Sequence, residues 1–495
     1  MVMTMTVPPF SWPLTDAFVD RAGEQQMLEA WWSEATREPI AMIGRRRVGK
    51  SWLFRRFAHG KPAVILVAEQ LPAQSQLTRF ADILEPLLKF RPDLPDVQTL
   101  VRVLYRMAAE QKILAIIDEF PWMLGSSAAE AQQTLSSIQA MMEEERDNSN
   151  LKLILCGSQV AQMEALFAER NPTHGRLRQL SVRPVDFHDA ALFLPTLSPI
   201  AAFERFAIAG GMPMYLSKLS TGTLRDAVCN MVLHKDAPLF QEGRRIVDQE
   251  LREPRVYFAI LEQLAGGARG ANEIGQHISS ETNAVIKYLH NLEELRLVSK
   301  HVPFGAAPNT RSGRWRLDDD FLRFWFRFVF PFQSDLESGL VPASLFDTEI
   351  APVIAEHVAP SFESWCLHWL RSNSVAGATK FGNWWGNAAD EFRSTRQRTS
   401  EEIDAAGSAR NQVVVVAEAK WTTKQLGPAI IDDIERFKIP ALRQSVKVAK
   451  RPHIVLFSKS GYTPALHAVA DATDHITLVD VAAALGTRHE SPAPA

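Results

Sequence analysis

The stretch over residues 40–57 constrains the fold of this chain more than any other part of the sequence. It reads IAMIGRRRVGKSWLFRRF, in which a short apolar run leads into the pattern G-x-x-x-x-G-K-S and helix-forming residues follow. A strand, a glycine-bounded turn and a helix in this order are typical of a loop that wraps a phosphate group. The alternative, a chance match in an ordinary loop, is disfavoured because the strand and the helix flank the pattern.

The residues of this turn have distinct expected roles. Gly44 and Gly49 allow the backbone to curl so that its N–H groups face an anion, and the following helix adds the positive end of its dipole. Lys50 is expected to reach the β- and γ-phosphates of ATP, and Ser51 is expected to ligate Mg²⁺. We predict contacts with ATP for the whole loop and the residue after it: Gly44, Arg45, Arg46, Arg47, Val48, Gly49, Lys50, Ser51 and Trp52.

A second apolar run, at residues 113–120, reads ILAIIDEF and carries two acidic residues near its end. Such a run places Asp118 at the carboxyl end of a parallel strand, where it can hold the Mg²⁺ ion, and it places Glu119 where it can polarise the attacking water. On its own the pattern often marks only the end of a strand. Downstream of a phosphate-binding loop, it predicts the other half of a nucleotide site.

Three further positions are candidates for the same site. Ser158 follows an apolar run at residues 151–156 and would either sense the γ-phosphate or cap a helix. Arg176 would stabilise the charge that develops on the γ-phosphate, or Arg176 and Arg178 are simply two ordinary surface arginines. Residues 18–21 would lie beside the adenine, or they simply precede an amphipathic helix.

Composition limits the class of protein. A chain of 495 residues is expected to form about two to four domains, and a net charge of −3 gives no overall bias toward nucleic acid. The three cysteines show no metal-ligand spacing or disulfide framework, and no signal peptide is visible, so we expect a cytoplasmic protein. The most hydrophobic run, residues 321–332, is too short to span a bilayer, so no membrane partner is expected.

The order of the elements predicts the architecture. Alternating strands and helices over residues 18–195 predict an α/β fold, with a parallel sheet covered by helices on both faces. The letters AGGMPMYL at residues 209–216 predict a tight turn that opens a helical lid. Three helical stretches and a hairpin from residue 256 onward predict a winged helix, which either contacts DNA or serves as a packing module.

An aromatic and arginine-rich segment follows the hairpin. It reads RWRLDDDFLRFWFRFVFP. The alternation of aromatic and cationic residues suits a stacking surface, on which bases or cations would lie. The other interpretation is a buried core whose arginines extend their charged ends toward water.

The last part of the chain carries a second group of charged candidates. Glu418 and Lys420 stand two apart on a valine-rich strand, so both side chains point to the same face. Asp404 is expected at the end of the preceding strand, and Glu363 lies on a helix further upstream. Asp404 and Glu418 would share a divalent metal ion, while Lys420 orients water or stabilises a charged phosphate. The alternative is an inward salt bridge between Lys420 and a carboxylate.

These motifs together resemble a known family. The segments GRRRVGKS, IIDEFPW, CGSQ, HGRLRQLSVRP and AGGMPMYL look like the archaeal-type P-loop ATPases, relatives of the AAA+ and STAND classes. The C-terminal region is similar to restriction-endonuclease-like PD-(D/E)XK domains, although Ile403 stands where that motif has a proline. The resemblance implies that ATP and Mg²⁺ are carried by Lys50, Ser51, Asp118 and Glu119. It implies a nuclease site formed by Asp404, Glu418 and Lys420, with Glu363 as the helix acid.

The expected organisation has four parts. These are a P-loop ATPase core at residues 1–198, a helical lid at 199–255, a winged helix with an aromatic connector at 256–345, and an α/β nuclease-like domain at 346–495. The expected function is a nucleotide-dependent ATPase switch that controls the nuclease-like domain, in DNA processing or defence. The alternative is a signalling or scaffold ATPase whose last domain is catalytically inactive and binds a partner. DNA or RNA and a second copy of the chain are the expected macromolecular partners.

Overall fold

The computed structural model describes residues 7–13, 21–125, 127–167, 173–251, 254–308, 310, 312–392 and 399–487. The chain divides into two compact units. The first comprises Met1–Val185 and Met212–Met214, and the second comprises Asp186–Gly211 and Tyr215–Ala495. The predicted division into four domains is not tested by this division into units and stays a prediction.

The first unit is built from alternating helices and strands. In chain order they are α1 (Ala22–Ser33), β1 (Ile40–Ile43), α2 (Lys50–Ala58), β2 (Ala63–Val67), α3 (Ala73–Leu88), α4 (Val97–Met107), β3 (Ile113–Asp118), α5 (Ala128–Glu145), β4 (Leu151–Gly157), α6 (Val160–Ala165) and β5 (Arg178–Ser181). The predicted strands and helices are confirmed here to within a few residues, because the motifs that defined them are continuous apolar runs bounded by polar turns.

The strands of the first unit form one parallel sheet in the order β2-β3-β4-β1-β5. Every residue of β1, β3 and β4 is buried, as expected for central strands that helices cover on both faces. The predicted parallel α/β sheet is therefore confirmed. Its core includes apolar residues of the amphipathic helices α3 and α4.

The second unit begins with helices and ends with a mixed sheet. Its elements are α7 (Phe187–Ala191), α8 (Pro199–Ala209), α9 (Pro213–Lys218, which starts in the first unit), α10 (Leu224–Val228), α11 (Glu242–Glu250), α12 (Pro254–Ala265), α13 (Ala271–His277), α14 (Thr282–Glu294), β6 (Val298–His301), β7 (Arg314–Leu317), α15 (Asp320–Phe324), α16 (Gln333–Glu337), α17 (Pro342–Leu345), α18 (Ile354–Ser372), β8 (Lys380–Asn387), β9 (Ser400–Ala409), β10 (Gln412–Lys420), α19 (Ala429–Asp433), α20 (Ile439–Arg443), β11 (Val448–Ser458), α21 (Pro464–Asp471), β12 (Ile476–Asp480) and α22 (Val481–Gly486).

The C-terminal sheet has the order β12-β11-β10-β9-β8. Strands β8, β9 and β10 pair antiparallel, whereas β10, β11 and β12 pair parallel. Asp404 lies in the middle of β9 and not at the end of a strand, so that expectation is wrong. The reason is that β9 alternates buried and exposed residues at its start, and a search for continuous apolar runs does not detect such a strand.

Helices α12, α13 and α14 precede the antiparallel hairpin of β6 and β7. A bridge between Arg269 and Trp315 adds a short third pairing beside the hairpin. This is the element order on which the winged-helix prediction depends, and the assignment itself stays a prediction.

The aromatic segment after β7 is buried. Phe321, Phe324, Trp325 and Phe326 are each fully inaccessible to solvent. Arg323 is only 4% exposed, so the expectation that its charged end reaches water is wrong. Within the described residues, no helix combines the length and the apolar character needed to cross a membrane.

Candidate functional site

The first site lies at the carboxyl ends of the strands of the parallel sheet. Ile43 pairs with Gly157 on β4 and with Ser181 on β5, so the loops that follow these three strands start side by side. Asp118 ends β3, which pairs with β4 on the other side. The carboxyl ends of parallel strands are where ligands bind in open α/β sheets.

The phosphate-loop sequence forms a tight turn between β1 and α2. Gly49 has a φ of 99°, in the left-handed region that favours glycine. A side-chain carbon on Gly44 would lie 2.5 Å from the carbonyl oxygen of Val182, so a larger residue would collide there. Arg46, Ser51 and Trp52 are exposed at this turn, with Trp52 46% exposed. The turn is therefore open to a ligand, as the motif predicts.

Lys50 is buried at the first position of α2, with 5% of its surface exposed. Its ammonium donates to the carbonyl oxygens of Gly44 at 2.6 Å and Arg45 at 3.1 Å. Both partners are uncharged backbone oxygens. A buried charge with only dipolar partners gains most from an anionic ligand.

Ser51 and Asp118 face each other across this loop. The Ser51 hydroxyl lies 3.4 Å from Asp118 Oδ2, at the long end of hydrogen-bond distance. Burial raises the pKa of Asp118, and a hydrogen bond from Cys156 opposes that rise. A hydroxyl and a carboxylate converging on one point suit Mg²⁺, which prefers oxygen ligands.

Glu119 is held by the loop that follows β4. Its carboxylate Oε2 accepts hydrogen bonds from the backbone N–H of Ser158 at 3.1 Å and from the Ser158 hydroxyl at 2.7 Å. Glu119 also adopts a left-handed φ of 53°. Helix α6 is capped at Gln159, so Ser158 is not its capping residue. The structure thus shows a contact that sequence reasoning did not foresee: Ser158 orients the predicted general base.

Arg21 holds the phosphate loop from the side. Its guanidinium donates to the carbonyl oxygens of Val48 at 2.9 Å and Arg183 at 2.7 Å, and it pairs with Glu24 at 2.8 Å. The predicted adenine contact at residues 18–20 lies outside the described residues. Arg21 itself is 6% exposed and contacts the loop backbone.

Arg176 is placed away from this edge. Its side chain pairs with Glu143 of α5 at 2.5 Å. Arg178 pairs with Glu34, and its backbone aligns with Ile40 at the start of β1, the opposite end from the phosphate loop. The structure does not bring Arg176 to Lys50 or Glu119, and its role in hydrolysis stays a prediction.

The turn at residues 212–214 is a part of the site that the sequence reasoning missed. It belongs to the first unit although the chain on both sides belongs to the second. The Pro213 ring lies 3.9 Å from the point where a side-chain carbon on Gly49 would start. The two glycines and the proline of this segment predicted a tight turn. They did not predict that this turn lies against Gly49 of the phosphate loop.

The second site lies between β9 and β10. The Lys420 ammonium is 3.1 Å from Asp404 Oδ2 and 2.7 Å from Glu418 Oε2. The backbone N–H of Ala419 also donates to Asp404 Oδ2 at 2.8 Å. Burial alone would lower the pKa of Lys420, but the charges of Asp404 and then Glu418 outweigh it and hold that pKa above its usual range.

Lys438 is a second cation at this site that no spacing in the sequence indicated. It lies at the end of the π-helical turn Ile434–Lys438 and forms an ion pair with Glu418 Oε1. Glu418 has no exposed side-chain surface, and both of its oxygens contact lysines. Burial, followed by the charge of Asp404, raises the pKa of Glu418, and the two lysines oppose that rise.

Glu363, on α18, lies close enough to this group to interact with it electrostatically. Burial, and next the charge of Asp404, raises the pKa of Glu363 to about 7; Arg316 and Lys420 lower it and Glu402 raises it. Within the described part of the chain, no group of three or more His, Cys, Asp or Glu side chains is arranged to hold a metal ion. A divalent ion at Asp404 and Glu418 does not fit this arrangement, because lysines contact both oxygens of Glu418 and Oδ2 of Asp404. The predicted metal role of both residues stays a prediction.

Comparison with known families agrees with the first site. Residues 18–219 match the family described as an ATPase domain predominantly from Archaea. The chain carries an ATPase domain. This ATPase domain includes the phosphate loop, Asp118, Glu119 and Ser158. Residues 325–430 match a family of archaeal and bacterial proteins of unknown function, which covers Glu363, Asp404, Glu418 and Lys420.

Individual relatives span most of the chain. The uncharacterized protein MJECL04 of Methanocaldococcus jannaschii is 27% identical over 413 residues, covering 82% of this chain and 87% of that protein. Among solved structures, the Walker-type ATPase PABY2304 of Pyrococcus abyssi shows 18% identity and a TM-score of 0.44, over 62% of this chain and 96% of that one. The ORC2 protein of Aeropyrum pernix, in ADPNP and ADP complexes, shows 15% identity and a TM-score of 0.42, over 67% and 96%.

Proposed function

We propose that this ATPase is a nucleotide-dependent switch. ATP and Mg²⁺ bind at the phosphate loop, and the nucleotide state controls the carboxylate–lysine site of the second unit, which acts as a nuclease on DNA or RNA. We place the protein in the cytoplasm and expect it to form homo-oligomers. Mg²⁺ would supply a Lewis acid between Ser51, Asp118 and the phosphates.

The connection between the two sites carries this proposal. Pro213, the first residue of α9, adjoins Gly49, and the turn before it follows directly after α8. On α8, the ring of Phe203 lies 5.1 Å from that of Trp421 and 5.9 Å from that of Phe362. Trp421 follows Lys420 and Phe362 precedes Glu363 in the chain. A shift of the phosphate loop would therefore be transmitted through one continuous stretch of chain to the flanks of the second site.

The ATPase residues have a defined part in each nucleotide state. Lys50 exchanges its carbonyl partners for the β- and γ-phosphates, which supply the counter-charge that the loop lacks. Glu119 accepts a proton from the attacking water when it turns away from Ser158. The Ser158 contact thus represents a resting position of the general base.

The nuclease assignment is supported by the topology of the C-terminal sheet. Three antiparallel strands followed by two parallel ones place Asp404 and Glu418 on neighbouring strands beside α18. The order of α12 to α14 and the β6–β7 hairpin supports a winged helix, which lies between the residues of the two sites in the sequence. On this proposal, the form with Lys420 and Lys438 on the carboxylates is the inactive state of the switch.

One observation favours a second candidate function. Glu418 is buried with lysines on both oxygens, and such a charge-balanced cluster is stable without a metal ion. The second unit would then be a catalytically inactive partner-binding domain, and the chain a signalling or scaffold ATPase.

The two functions separate in one set of assays. Purified wild type, Lys50→Ala and Lys420→Ala are tested for ATP hydrolysis and for cleavage of DNA and RNA with Mg²⁺ or Mn²⁺. The switch-nuclease proposal expects ATP-dependent cleavage that both variants lose, while Lys420→Ala keeps its ATP hydrolysis. Equal cleavage by wild type and Lys420→Ala, or none by either, supports the scaffold function.

A further inference from the structure

The predicted general base of the ATPase site, Glu119, has an unusual backbone conformation. Its φ of 53° lies in the left-handed region, which a residue with a side chain rarely adopts. It precedes a short 3-10 helix, Phe120–Met123, and its carbonyl oxygen accepts a hydrogen bond from the N–H of Trp122 at 3.1 Å. Such a conformation persists only where the surrounding structure holds it. The residues that hold this turn therefore decide where the carboxylate of Glu119 can point.

One buried amide contacts this turn from helix α3. Gln76 lies near the start of that helix and is 2% exposed. Its Nε2 donates to the carbonyl oxygen of Trp122 at 3.2 Å and to that of Leu71 at 3.1 Å, while its Oε1 accepts from the N–H of Glu69 at 3.0 Å. These partners fix the orientation of the amide, because an N–H can only donate and a carbonyl oxygen can only accept. Gln76 thus joins the loop after β2 to the turn after β3.

The same two loops start side by side because the strands before them pair. Val67, the last residue of β2, aligns with Asp118, the last residue of β3. The N–H of Ala68 donates to the carbonyl oxygen of Asp118 at 2.9 Å, which continues the pairing by one residue. Beyond this point the amide of Gln76 connects the two loops. Its position is thus set by the sheet, and it passes that position on to the turn.

Glu119 is held at two points that differ in kind. Ser158 holds the carboxylate, at 2.7 Å from its hydroxyl, and Trp122 holds the backbone. The carboxylate must leave Ser158 before it can accept a proton from water, whereas the backbone contact does not involve the carboxylate. The contact that Gln76 supports can therefore persist while the base moves. A base acts only within hydrogen-bond reach of its proton, and a small misplacement costs much of the rate.

We propose that Gln76 is a positioning residue for ATP hydrolysis. Through the carbonyl of Trp122 it fixes the backbone of Glu119, so that the carboxylate swings between Ser158 and the attacking water from one fixed point. The proposal rests on the role of Glu119 as general base proposed above. Because Gln76 acts through Glu119 and not on the nucleotide, its loss lowers the rate of hydrolysis and leaves nucleotide affinity unchanged.

The test combines single-turnover ATP hydrolysis with ADPNP calorimetry on the full-length protein. Gln76→Met keeps the length of the side chain and removes its amide. We expect hydrolysis to fall about tenfold and ADPNP affinity to stay within about twofold of wild type. Gln76→Glu keeps an acceptor for the N–H of Glu69 but cannot donate to Trp122 when ionised, so it should show the same split between rate and affinity.

Two further variants separate positioning from a merely structural role. Gln74→Met makes the same change at an exposed glutamine of the same helix, and both quantities should stay within about twofold of wild type. The double variant Gln76→Met with Glu119→Gln should hydrolyse ATP at the rate of Glu119→Gln alone, because Gln76 has no base left to position. Residues that act independently would instead show losses that multiply.

Three results overturn the proposal: hydrolysis by Gln76→Met within about twofold of wild type, ADPNP affinity that falls as much as the rate, or a further loss of about tenfold in the double variant. If Gln76→Met does not fold, Gln76→Glu takes its place with the same expectations, alone and in the double variant. Failure of the proposed base is seen separately, as hydrolysis at the wild-type rate by Glu119→Gln alone.

Discussion

The two sites each centre on a lysine, which is buried in the first site and one-third exposed in the second, and the charge of each lysine has different partners. Lys50 donates to two uncharged carbonyl oxygens of the phosphate loop. Lys420 lies between the carboxylates of Asp404 and Glu418. Among the residues that the structure describes, the first ammonium has no anionic hydrogen-bond partner, whereas the second has two.

This difference teaches what each site requires. Among the described residues, the Lys50 ammonium donates only to backbone carbonyl oxygens of the phosphate loop, so a triphosphate would give it anionic partners. The carboxylate–lysine site is already balanced, so it needs no ligand to be stable and must open before it can bind one. We therefore expect the first site to change its contacts when a nucleotide binds. We expect the second site to change its contacts only when another part of the protein moves.

The largest expected effect comes from removing the unbalanced lysine. Lys50→Ala should lower ATP binding and hydrolysis by about 10³-fold, because the loop loses its one buried ammonium beside the phosphates. Calorimetry with ADPNP and a phosphate-release assay measure both quantities. Lys89→Ala, an exposed lysine that donates to Pro86, is the control and should behave as wild type. Unchanged affinity in Lys50→Ala would remove the basis of the comparison.

The next effect concerns the general base. Glu119→Gln should keep nucleotide affinity and lower hydrolysis by about 10²-fold, because the amide cannot accept the proton of the attacking water. Ser158→Ala should change the rate by less than about tenfold, since it removes only the contact that positions Glu119. Single-turnover hydrolysis separates the two variants from a loss of binding. Full activity in Glu119→Gln would exclude it as the base.

The balanced site is tested by stability. Glu418→Gln should destabilise the protein by about 3 kcal/mol, because it leaves Lys420 and Lys438 close together without the charge between them. Urea unfolding followed by circular dichroism gives the shift in midpoint. Glu435→Gln is the matched control. It makes the same chemical change at a half-exposed glutamate, whose carboxylate lies 3.5 Å from His475 Nε2 and contacts neither lysine of the cluster. Equal midpoints for the two variants would show that the cluster is not structurally important.

Glu363 is expected to make the free energy of unfolding depend on pH. Its pKa of about 7 lies above the ordinary value of 4.5, so the folded state favours the protonated carboxyl. That contribution is full below pH 4.5 and is lost as the pH rises through 7. Relative to Glu363→Gln, wild type should therefore lose about 2 to 3 kcal/mol between pH 5 and pH 8. Parallel curves for the two proteins would contradict the raised pKa.

Much of the parallel sheet and of the ATPase site could be predicted from the sequence. Strands β1, β3 and β4 are continuous apolar runs, and the chemistry of a phosphate loop fixes its residues at set spacings. The positions of Lys50, Ser51 and Asp118 therefore followed from local pattern alone.

The remainder depends on contacts between residues far apart in the chain. Ser158 reaches Glu119 only because β4 pairs with β3, and Lys438 reaches Glu418 only because a π-helical turn packs beside the sheet. Asp404 was misplaced because β9 alternates polar and apolar residues at its start. No local periodicity encodes such contacts.

The smallest effect is expected at Arg176. Its pair with Glu143 is on the surface, so Arg176→Ala should cost less than about 1 kcal/mol and leave hydrolysis within about twofold. Arg178→Ala is the neighbouring control. A large loss of hydrolysis in Arg176→Ala alone would return this arginine to the catalytic site, for example from a second copy of the chain.

The central claim is that the nucleotide state of the first site reaches the second. Hydrogen–deuterium exchange of the full-length protein, with and without ADPNP and Mg²⁺, tests it most directly. We predict altered exchange at residues 44–51, at 210–216 and at 403–421, and no change in Lys50→Ala. Protection confined to residues 44–51 would contradict the account.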